Sequence, residues 1–367
     1  MEDRAREFLR RLLDAPGPSG FETAPAQVWR AEAATFADEV THDVVGNSYA
    51  RVKPASGVEA DQAPRVLLAG HIDEIGLLIT HIDPEGFLWI APLGGWDEQV
   101  IVGQRVRILA EHGDVTGIIG KKAAHLLKEE DRGKPTKLEE MWIDIGAIDR
   151  ADAERRVAVG DPAVIDSRVV ELTDDRCASR SMDNRVGAFV ALEALRLIAA
   201  ERCAADVYAI ATAQEEITFS GAYTASFSLP SNVAIAIDVT HATDYPGADK
   251  KRDHEVKLGG GPVLTRGATI NDAVFFGLRG AAARIGVAAP VQATGKSSGT
   301  DADPMLRSGS GTATGLVSIP NRYMHSPNEI VSLSDLESAA RVITEFVRTV
   351  NAESDFRPGS MPPRPAR

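Results

Sequence analysis

The sequence lacks several features that would assign it to a protein class directly. It has only two cysteines, Cys177 and Cys203, and no C-x-x-C pair, which excludes a disulfide framework and indicates no structural zinc site. No apolar run approaches the roughly 20 residues of a membrane span. The first residues alternate charged and apolar side chains, so we expect no secretory signal. These observations predict a cytoplasmic protein without a membrane partner.

Basic residues are also in deficit. The chain has 40 lysines and arginines against 53 aspartates and glutamates, which gives a formal net charge of −13. A surface that follows nucleic-acid phosphates needs the opposite sign, so nucleic acid is not expected as a partner. With 367 residues and 44% hydrophobic content, the chain can bury a sizeable core in one large domain or in two to three smaller ones.

Apolar periodicity predicts alternating helices and strands at both ends of the chain. Continuous apolar runs of the kind found in buried parallel strands occupy 64–71, 207–213 and 233–239. Three- and four-residue spacing predicts helices over 3–14, 183–201 and 335–350. Ser334 and Glu337 are predicted to form a capping box at the start of the last helix. This alternation favours a doubly wound α/β domain with a mixed sheet.

The middle of the chain has a different pattern of apolar and polar residues. Between 74 and 167, short β-type runs are broken by Gly, Pro and charged residues, which is typical of a small barrel. We therefore predict a discontinuous α/β domain, 1–73 and 168–352, with a β-barrel domain inserted at 74–167. The charged stretch 128–140 is expected to be a surface loop, and the proline-rich 353–367 a disordered tail.

Histidine and carboxylate residues follow the predicted strands. His71 and Asp73 come after the first strand in the order His-x-Asp, a spacing that lets one bind a metal ion while the other orients it. Glu215 and Glu216 follow the next strand; on an extended backbone they would face different ways, so one could bind a cation and the other act as general base. Taken singly, these pairs have ordinary alternatives, a loop motif and two exposed glutamates.

Three further residues fit the same pattern. Asp238 ends the third predicted strand, Asp183 opens a helix, and His325 precedes a proline near the C-terminus. Alone, they could be a turn residue, an N-cap and a loop histidine. Together with the other four, they make the ligand inventory of a two-metal hydrolase. Imidazole with carboxylate suits zinc, cobalt or manganese better than calcium.

These residues lie within longer segments that resemble one family. From about residue 8 to 350, the sequence is similar to the M42 family of metallo-aminopeptidases, the tetrahedral aminopeptidase and glutamyl aminopeptidase group. The matching segments are PGPSGFE (16–22), DVVGN (43–47), GHIDEIG (70–76), IIGKKAAHLL (118–127), SMDNRVG (181–187), QEEITFSGA (214–222), AIDVTHATDYPG (236–247), SGTDA (298–302) and IPNRYMHSPNEIV (319–331).

The resemblance implies a role for each candidate residue. One metal ion is held by His71, Asp183 and Asp238. The other is held by Asp183, Glu216 and His325, so that Asp183 bridges the pair. Glu215 is then the general base for a metal-bridging water, and Asp73 orients His71.

The resemblance also implies what the protein does. It would remove the N-terminal residue from short or unfolded peptides, using two divalent ions per chain, zinc or cobalt before manganese. The fold would be a zinc-peptidase-like α/β domain, with the inserted barrel used in assembly. The family further implies a homo-oligomer, a dodecamer built from dimers.

Other functions stay open at this point. A carboxypeptidase or an N-acyl amino acid deacylase could use a similar dimetal site, and a scaffold protein could keep the fold without catalysis. Residues 295–299 match G-x-S-x-G, so a serine hydrolase with Ser297 as nucleophile is a remote alternative. That motif requires a preceding strand and a following helix, and Pro304 limits any helix there.

Overall fold

The computed structural model describes residues 1–58, 62–129, 133–173 and 175–360. The strands in these ranges are β1 (Glu39–His42), β2 (Ser48–Val52), β3 (Arg65–His71), β4 (Gly76–Ile82), β5 (Leu88–Leu93), β6 (Arg105–Ala110), β7 (Gly113–Gly120), β8 (Trp142–Asp144), β9 (Pro162–Ile165), β10 (Val170–Glu171), β11 (Arg176–Ser179), β12 (Asp206–Thr212), β13 (Val233–His241), β14 (Val263–Gly267), β15 (Val291–Thr294), β16 (Ala313–Asn321) and β17 (Glu329–Ser332).

The helices of the described residues include long ones that pack on the sheet and short ones that connect strands. They are α1 (Asp3–Asp14), α2 (Thr23–Ala33), α3 (Glu98–Ile101), α4 (Arg150–Glu154), α5 (Met182–Ala200), α6 (Glu215–Thr218), α7 (Ser220–Ser228), α8 (Lys250–Asp253), α9 (Asp272–Arg284), α10 (Ala302–Arg307) and α11 (Leu333–Val347), with 3₁₀ turns at Ala124–Leu126 and Leu138–Glu140.

The main sheet has eight strands in the order β1-β2-β12-β3-β13-β16-β14-β15. The central strands β12, β3, β13 and β16 run parallel, whereas β2 and β14 pair antiparallel with their inner neighbours. The sheet is therefore mixed. Parallel strands end at the same edge, so the segments that follow β3, β12 and β13 leave the sheet side by side.

Both faces of this sheet are buried, as the continuous apolar runs predict. On β3, Val66 and Leu68 point into the larger core beneath α1, α5, α9 and α11. Leu67 and Ala69 point into a smaller core on the opposite face, which includes Met305 from α10. Alternate residues of a strand face opposite ways, so a strand with helices on both sides must be apolar throughout. The predicted doubly wound α/β class is confirmed.

A closed six-stranded barrel lies between β3 and β10 in the chain. Its strands follow the order β4-β5-β8-β7-β6-β9, with antiparallel neighbours throughout. Its interior is aliphatic and includes Leu77, Ile108 and Ile143, all fully buried. The predicted small barrel is confirmed as part of the fold class, although the short strand β8 had no prediction. The domain limits at 74 and 167 stay a prediction.

A buried ion cluster lies where the barrel joins the main body. Arg180 and Arg185 both donate to Glu74, at 3.1 and 2.8 Å. Both guanidinium groups also donate to the carbonyl of Leu13. Their remaining donors bond to carbonyls of neighbouring segments, which is the arrangement a buried arginine requires. The cluster ties α1, the start of α5 and the first turn after β3 together.

The start of α11 differs from the prediction. The prediction of a capping box formed by Ser334 and Glu337 was wrong, because the helix begins at Leu333 and Ser334 lies inside its first turn. Asp175 accepts instead, from the N–H of Ser334 with its side chain at 2.7 Å and from the N–H of Leu333 with its carbonyl at 2.9 Å. Glu337 pairs with the amino group of Met1. A residue distant in sequence thus satisfies the N–H of Ser334, which the Glu337 side chain would have served in the local motif.

The predicted surface loop and tail are described only in part. Residues 130–132 of the loop and 361–367 of the tail lie outside the described residues. Within 353–360, Phe356 packs against the main core, and its carbonyl accepts from the Asn271 side chain at 2.8 Å. Among the residues described, every helix is too short or too polar to cross a membrane.

Candidate active site

The candidate ligands collect at the carboxyl edge of the parallel strands. His71 is the last residue of β3, and its register partner on β12 is Thr212, three residues before Glu215. Asp238 lies toward the end of β13, the other neighbour of β3. Asp183 is in the first turn of α5, and His325 lies in the connection between β16 and β17. The structure brings all the sequence-predicted site residues to this edge.

Asp183 lies between the two histidines. Its Oδ1 is 3.1 Å from the Nε2 atom of His71, and its Oδ2 is 3.3 Å from the Nε2 atom of His325. Each oxygen therefore faces a different imidazole. The side chain is 9% exposed, so water screens these contacts little. A carboxylate in this position can bridge two cations, each with its own imidazole ligand.

The remaining carboxylates surround these histidines. From His71 Nε2, the Oε2 atom of Glu215 is at 3.7 Å and the Oδ1 atom of Asp238 is at 3.9 Å. From His325 Nε2, the Oε2 atom of Glu216 is at 3.5 Å. Glu215 and Glu216 thus each lie close to a different histidine.

Asp73 contacts a histidine ring and the backbone of both glutamates. Its two oxygens accept from the backbone N–H groups of Glu215 and Glu216, at 3.2 and 3.1 Å. Its Oδ1 also lies 3.2 Å from the Nδ1 atom of His71. Asp73 is completely buried, and one carboxylate therefore holds a histidine and the start of α6 together.

The backbone of the two glutamates differs from the prediction. They were expected on an extended segment, but β12 ends at Thr212 and both residues lie in the short helix α6. Gln214, with φ of 59°, turns the chain into this helix. Successive residues of a helix point about 100° apart, so the two carboxylates can still approach different histidines.

The pKa values of both histidines are raised by the carboxylates around them. Burial lowers the pKa of His71, but the carboxylates of Glu215, Asp183 and Asp73 outweigh this and raise it well above the ordinary value. Burial also opposes charge on His325, yet Asp183 and Glu216 raise its pKa to about 11. Without cations, this pocket of carboxylates therefore holds protons on its imidazoles.

The carboxylates divide into two groups. Burial raises the pKa of Glu215 and Asp238 well above ordinary values, and burial with the charge of Asp183 raises the pKa of Glu216. Asp183 behaves oppositely. Burial works against its ionisation, but His325 and His71 hold its pKa below the ordinary value. Among the four candidate carboxylates named here, Asp183 is thus the one whose charged form is favoured.

The donor set fits divalent cations. There are two groups of residues in each of which the donor atoms lie within 4.8 Å of one another. One is His71 with Glu215 and Asp238, and the other is His71 with Asp183 and Glu216. The Oε1 atom of Glu216 is buried and has no hydrogen-bond partner among the described residues, so it is free to bind a cation. Imidazole nitrogen with carboxylate oxygen suits zinc, cobalt and manganese.

Sequence reasoning assigned no positioning role to Glu329. Its two oxygens accept from the backbone N–H groups of Asp183 and His325, both at 2.8 Å. Glu329 is buried, and burial together with the charge of Asp183 raises its pKa well above the ordinary value. The residue lies in the segment IPNRYMHSPNEIV, one of those that resemble the family, so its place in this segment could have marked it as a candidate site residue.

Two more buried carboxylates were not singled out for this site. Glu22 accepts from the N–H groups of Gly20 and Gln214 with one oxygen, and burial with the charge of Asp73 raises its pKa to about 7. Asp301 accepts from the Thr212 hydroxyl at 2.5 Å, and burial raises its pKa to about 6. Both lie in family-like segments, PGPSGFE and SGTDA.

A pocket of about 450 Å³ opens onto these residues. Its other walls come from strands β13 to β16, the loop 298–300, and side chains of α6 and its surroundings. The lining residues outside the candidate ligands and Glu215 are Ile217, Phe219, Val239, Thr240, His241, Thr265, Gln292, Thr294, Ser298, Gly299, Thr300, Leu316, Ser318 and Met324. The site is thus a cleft large enough for one amino-acid side chain and the adjoining peptide group.

The serine-hydrolase alternative is not supported. The motif 295–299 follows β15, but α10 begins only at Ala302 and has six residues, so no helix starts directly at the serine. Ser297 is exposed and is not among the residues that line the pocket. Asp301 and Asp303 are engaged elsewhere, with Thr212 and with the backbone of the loop. The strained strand-to-helix turn that this chemistry needs is absent at 295–299.

Known proteins match this chain over nearly its whole length. The sequence model described as M42 glutamyl aminopeptidase matches residues 52–342. The lysyl aminopeptidase of Pyrococcus furiosus is 31% identical over 355 residues, 96% of this chain and 99% of that protein.

Solved structures agree. The TET aminopeptidase of Thaumarchaeota archaeon SCGC AB-539-E09 superposes with a TM-score of 0.89 at 32% identity, covering 95% of this chain and 97% of that one. The Pyrococcus horikoshii TET1 peptidase, which can assemble into a tetrahedron or a large octahedral shell, has a TM-score of 0.81 at 28% identity, covering 94% of this chain and 100% of that one.

Proposed function

Because this chain belongs to the M42 glutamyl aminopeptidase family, we propose that it removes the N-terminal residue from short or unfolded peptides with two divalent cations and Glu215 as general base. The chain is an aminopeptidase, a peptide hydrolase, and the alternatives of a carboxypeptidase and an N-acyl amino acid deacylase have no support. The assignments of metal ligands and base rest on the geometry described above.

The position of Asp183 carries the proposal. Its two oxygens face two different imidazoles at 3.1 and 3.3 Å, which is what a carboxylate shared by two cations requires. In our assignment His71 and Asp238 complete one site, and Glu216 and His325 complete the other. Bound cations supply positive charge that polarises the substrate carbonyl and lowers the pKa of water.

Glu215 is assigned the proton transfers. Its carboxylate lies 3.7 Å from His71 Nε2, beside the candidate ligands, and it lines the pocket. Burial raises its pKa above the ordinary value, so burial favours the protonated form through which a proton passes from water to the leaving amine. We assign it to take a proton from the attacking water and to deliver it to the amine that leaves.

We assign Asp73 to orient His71 and the two glutamates. It lies against His71 Nδ1 and accepts from the N–H groups of Glu215 and Glu216, so a ligand and the base share one support. A carboxylate on the far nitrogen of a metal-binding histidine fixes its tautomer and raises its basicity.

Peptide assays with and without metal ions test the proposal. Free-amine peptides, N-acetylated peptides and C-terminally amidated peptides should be offered to the purified full chain. We expect hydrolysis of the free-amine and amidated peptides only, loss with a chelator, recovery with zinc, cobalt or manganese, and no effect of a fluorophosphonate. Activity that survives complete metal removal would contradict the dimetal assignment, and cleavage of acetylated peptides alone would indicate a deacylase.

We also propose that the chain forms a closed homo-oligomer, a dodecamer built from dimers. The assembly of the Pyrococcus horikoshii relative supports this, as do exposed apolar side chains on the barrel, including Leu126, Ile148 and Val159. Light scattering should show a particle many times the 39.2 kDa chain mass. An active monomer at working concentration would contradict the assembly and leave the chemistry intact.

A further inference from the structure

We propose that the pocket beside the metal-ligand cluster selects substrates whose first residue is uncharged, such as leucine, methionine or glutamine. This inference rests on the proposed aminopeptidase function and specifies its substrate class. The pocket floor is formed by side chains that β13 to β16 contribute.

The strand registers decide which side chains form this floor. Thr265 on β14 is the register partner of Gln292 on β15, and Val263, two residues earlier on β14, is opposite Ser318 on β16. Residues two apart on a strand face the same side, so Leu316 lies on the same face as Ser318. The floor residues Thr265, Leu316 and Ser318 are each 5% exposed or less.

This floor carries no fixed charge. Apart from the candidate ligands and Glu215, the described residues that line the pocket are apolar or neutral polar, with His241 as the exception. His241 is exposed and therefore lies at the rim. A lysine or glutamate side chain that reached the floor would leave water without a partner of opposite charge, and such a transfer is costly.

Gln292 is the position where charge selection is decided. Its side-chain oxygen accepts from the Thr240 hydroxyl at 2.8 Å, a bond that holds the amide across the pocket. The same side chain, with a carboxylate in place of the amide, would provide the missing counter-charge for a basic residue. Specificity at such a site depends on an unfavourable interaction with the wrong substrate as much as on contacts with the right one.

A panel of aminoacyl p-nitroanilides measures the preference directly. The full chain, loaded with the metal that supports highest activity, should be assayed for kcat/KM with leucine, methionine, glutamine, lysine, arginine, glutamate and aspartate as the first residue. We expect the three neutral substrates to exceed every charged one by at least about tenfold, the scale set by pocket contacts.

Two substitutions of equal charge test the location. Gln292→Glu should raise the ratio of lysine to leucine kcat/KM by at least about tenfold, because it adds a carboxylate to the floor. The matched control is Val291→Glu, which adds the same charge one residue earlier. Val291 is 47% exposed, does not line the pocket, and faces the other side of β15, so the ratio should stay unchanged. Gln292→Met keeps the floor uncharged and should keep the neutral preference.

The outcomes separate this inference from the proposed function. Absence of hydrolysis for every free-amine substrate would contradict the aminopeptidase proposal itself. Preferred hydrolysis of a lysine, arginine, glutamate or aspartate substrate by the unaltered chain would overturn the pocket inference alone. An equal change of the ratio in Gln292→Glu and Val291→Glu would also overturn it, because long-range charge would then explain the effect. If Gln292→Glu does not fold, as judged by circular dichroism, the substrate panel on the unaltered chain still decides.

Discussion

The carboxylate of Glu329 accepts a hydrogen bond from the backbone N–H of Asp183 at 2.8 Å. Its other oxygen accepts from the N–H of His325, also at 2.8 Å. Two candidate ligands that are far apart in sequence are thereby held by one buried side chain. We assign Glu329 as a positioning residue, since it touches the ligands through their backbone and not through their metal-binding atoms.

Glu329→Gln should weaken metal binding without removing a ligand. The substitution replaces one accepting oxygen with an NH₂ group, so the N–H of Asp183 or of His325 would face a donor. Loss of such outer support lowers metal affinity by about 10- to 100-fold. Metal content per chain, measured by mass spectrometry in metal-buffered solution, checks this.

The control for that variant is Glu337→Gln. Glu337 is on α11, is about half exposed and pairs with the amino group of Met1, so its substitution should leave metal content unchanged. Equal metal affinity in Glu329→Gln and in the unaltered chain would contradict the positioning role.

Glu215→Gln and Glu216→Gln should have different effects. Glu215→Gln removes the proposed base, so turnover should fall by at least about a hundredfold, while two metal ions per chain stay bound. Glu216→Gln removes a proposed ligand and should instead lower the occupancy of one metal site. Turnover and metal analysis on the same preparations distinguish the two. If Glu215→Gln lost metal and Glu216→Gln kept it, the two roles would have to be exchanged.

Metal binding to the chelated chain should release protons. The pKa of His325 is about 11 and that of His71 is well above its ordinary value, because carboxylates surround both, so each is protonated at pH 7. A cation binds only the neutral imidazole, and we expect at least about two protons released per chain. Apparent metal affinity should therefore rise with pH.

An indicator dye in weakly buffered solution measures this release. His325→Gln should reduce it by about one proton per chain. Metal affinity that is independent of pH between 6 and 8, with no proton release, would show that the histidines are already neutral.

Glu22→Gln should stabilise the fold in alkaline solution. The folded-state pKa of Glu22 is about 7, above the ordinary 4.5, chiefly because of burial. Stability therefore falls as pH rises from 4.5 through 7 and stays reduced above it, by about 3 kcal/mol. Glutamine removes this penalty and keeps the oxygen that accepts from Gly20 and Gln214.

Urea unfolding at pH 5.5 and pH 8 checks the direction of this pH dependence. Chelator is present so that metal binding does not vary. The gain from Glu22→Gln should be larger at pH 8. Glu7→Gln, an exposed position paired with Arg10, is the control and should change the free energy of unfolding by less than about 0.5 kcal/mol at either pH. A larger gain at pH 5.5 would contradict the raised pKa.

Much of the fold was predictable because it depends on local pattern. The segment from Val66 to Gly70 is apolar at every position, and a strand covered on both faces must be. The short β-runs between 74 and 167 indicated a barrel for a similar reason. The cap of α11 was not predictable locally, since the side chain of Asp175, far away in sequence, accepts from the N–H of Ser334, which Glu337 was expected to serve.

The sequence by itself determined the chemistry available at the site: imidazoles and carboxylates placed after predicted strands, in segments that resemble one family. Tertiary structure alone decided how they meet. Asp183 lies 112 residues from His71 in the chain, and its two oxygens face different histidines only because β3, α5 and the β16–β17 connection converge. The direction of Glu215 and Glu216 was set by a helical turn, and Glu329 was placed between two ligand backbones. Residue identity is a local property, whereas distances of 3 Å between distant segments follow from packing of the whole sheet.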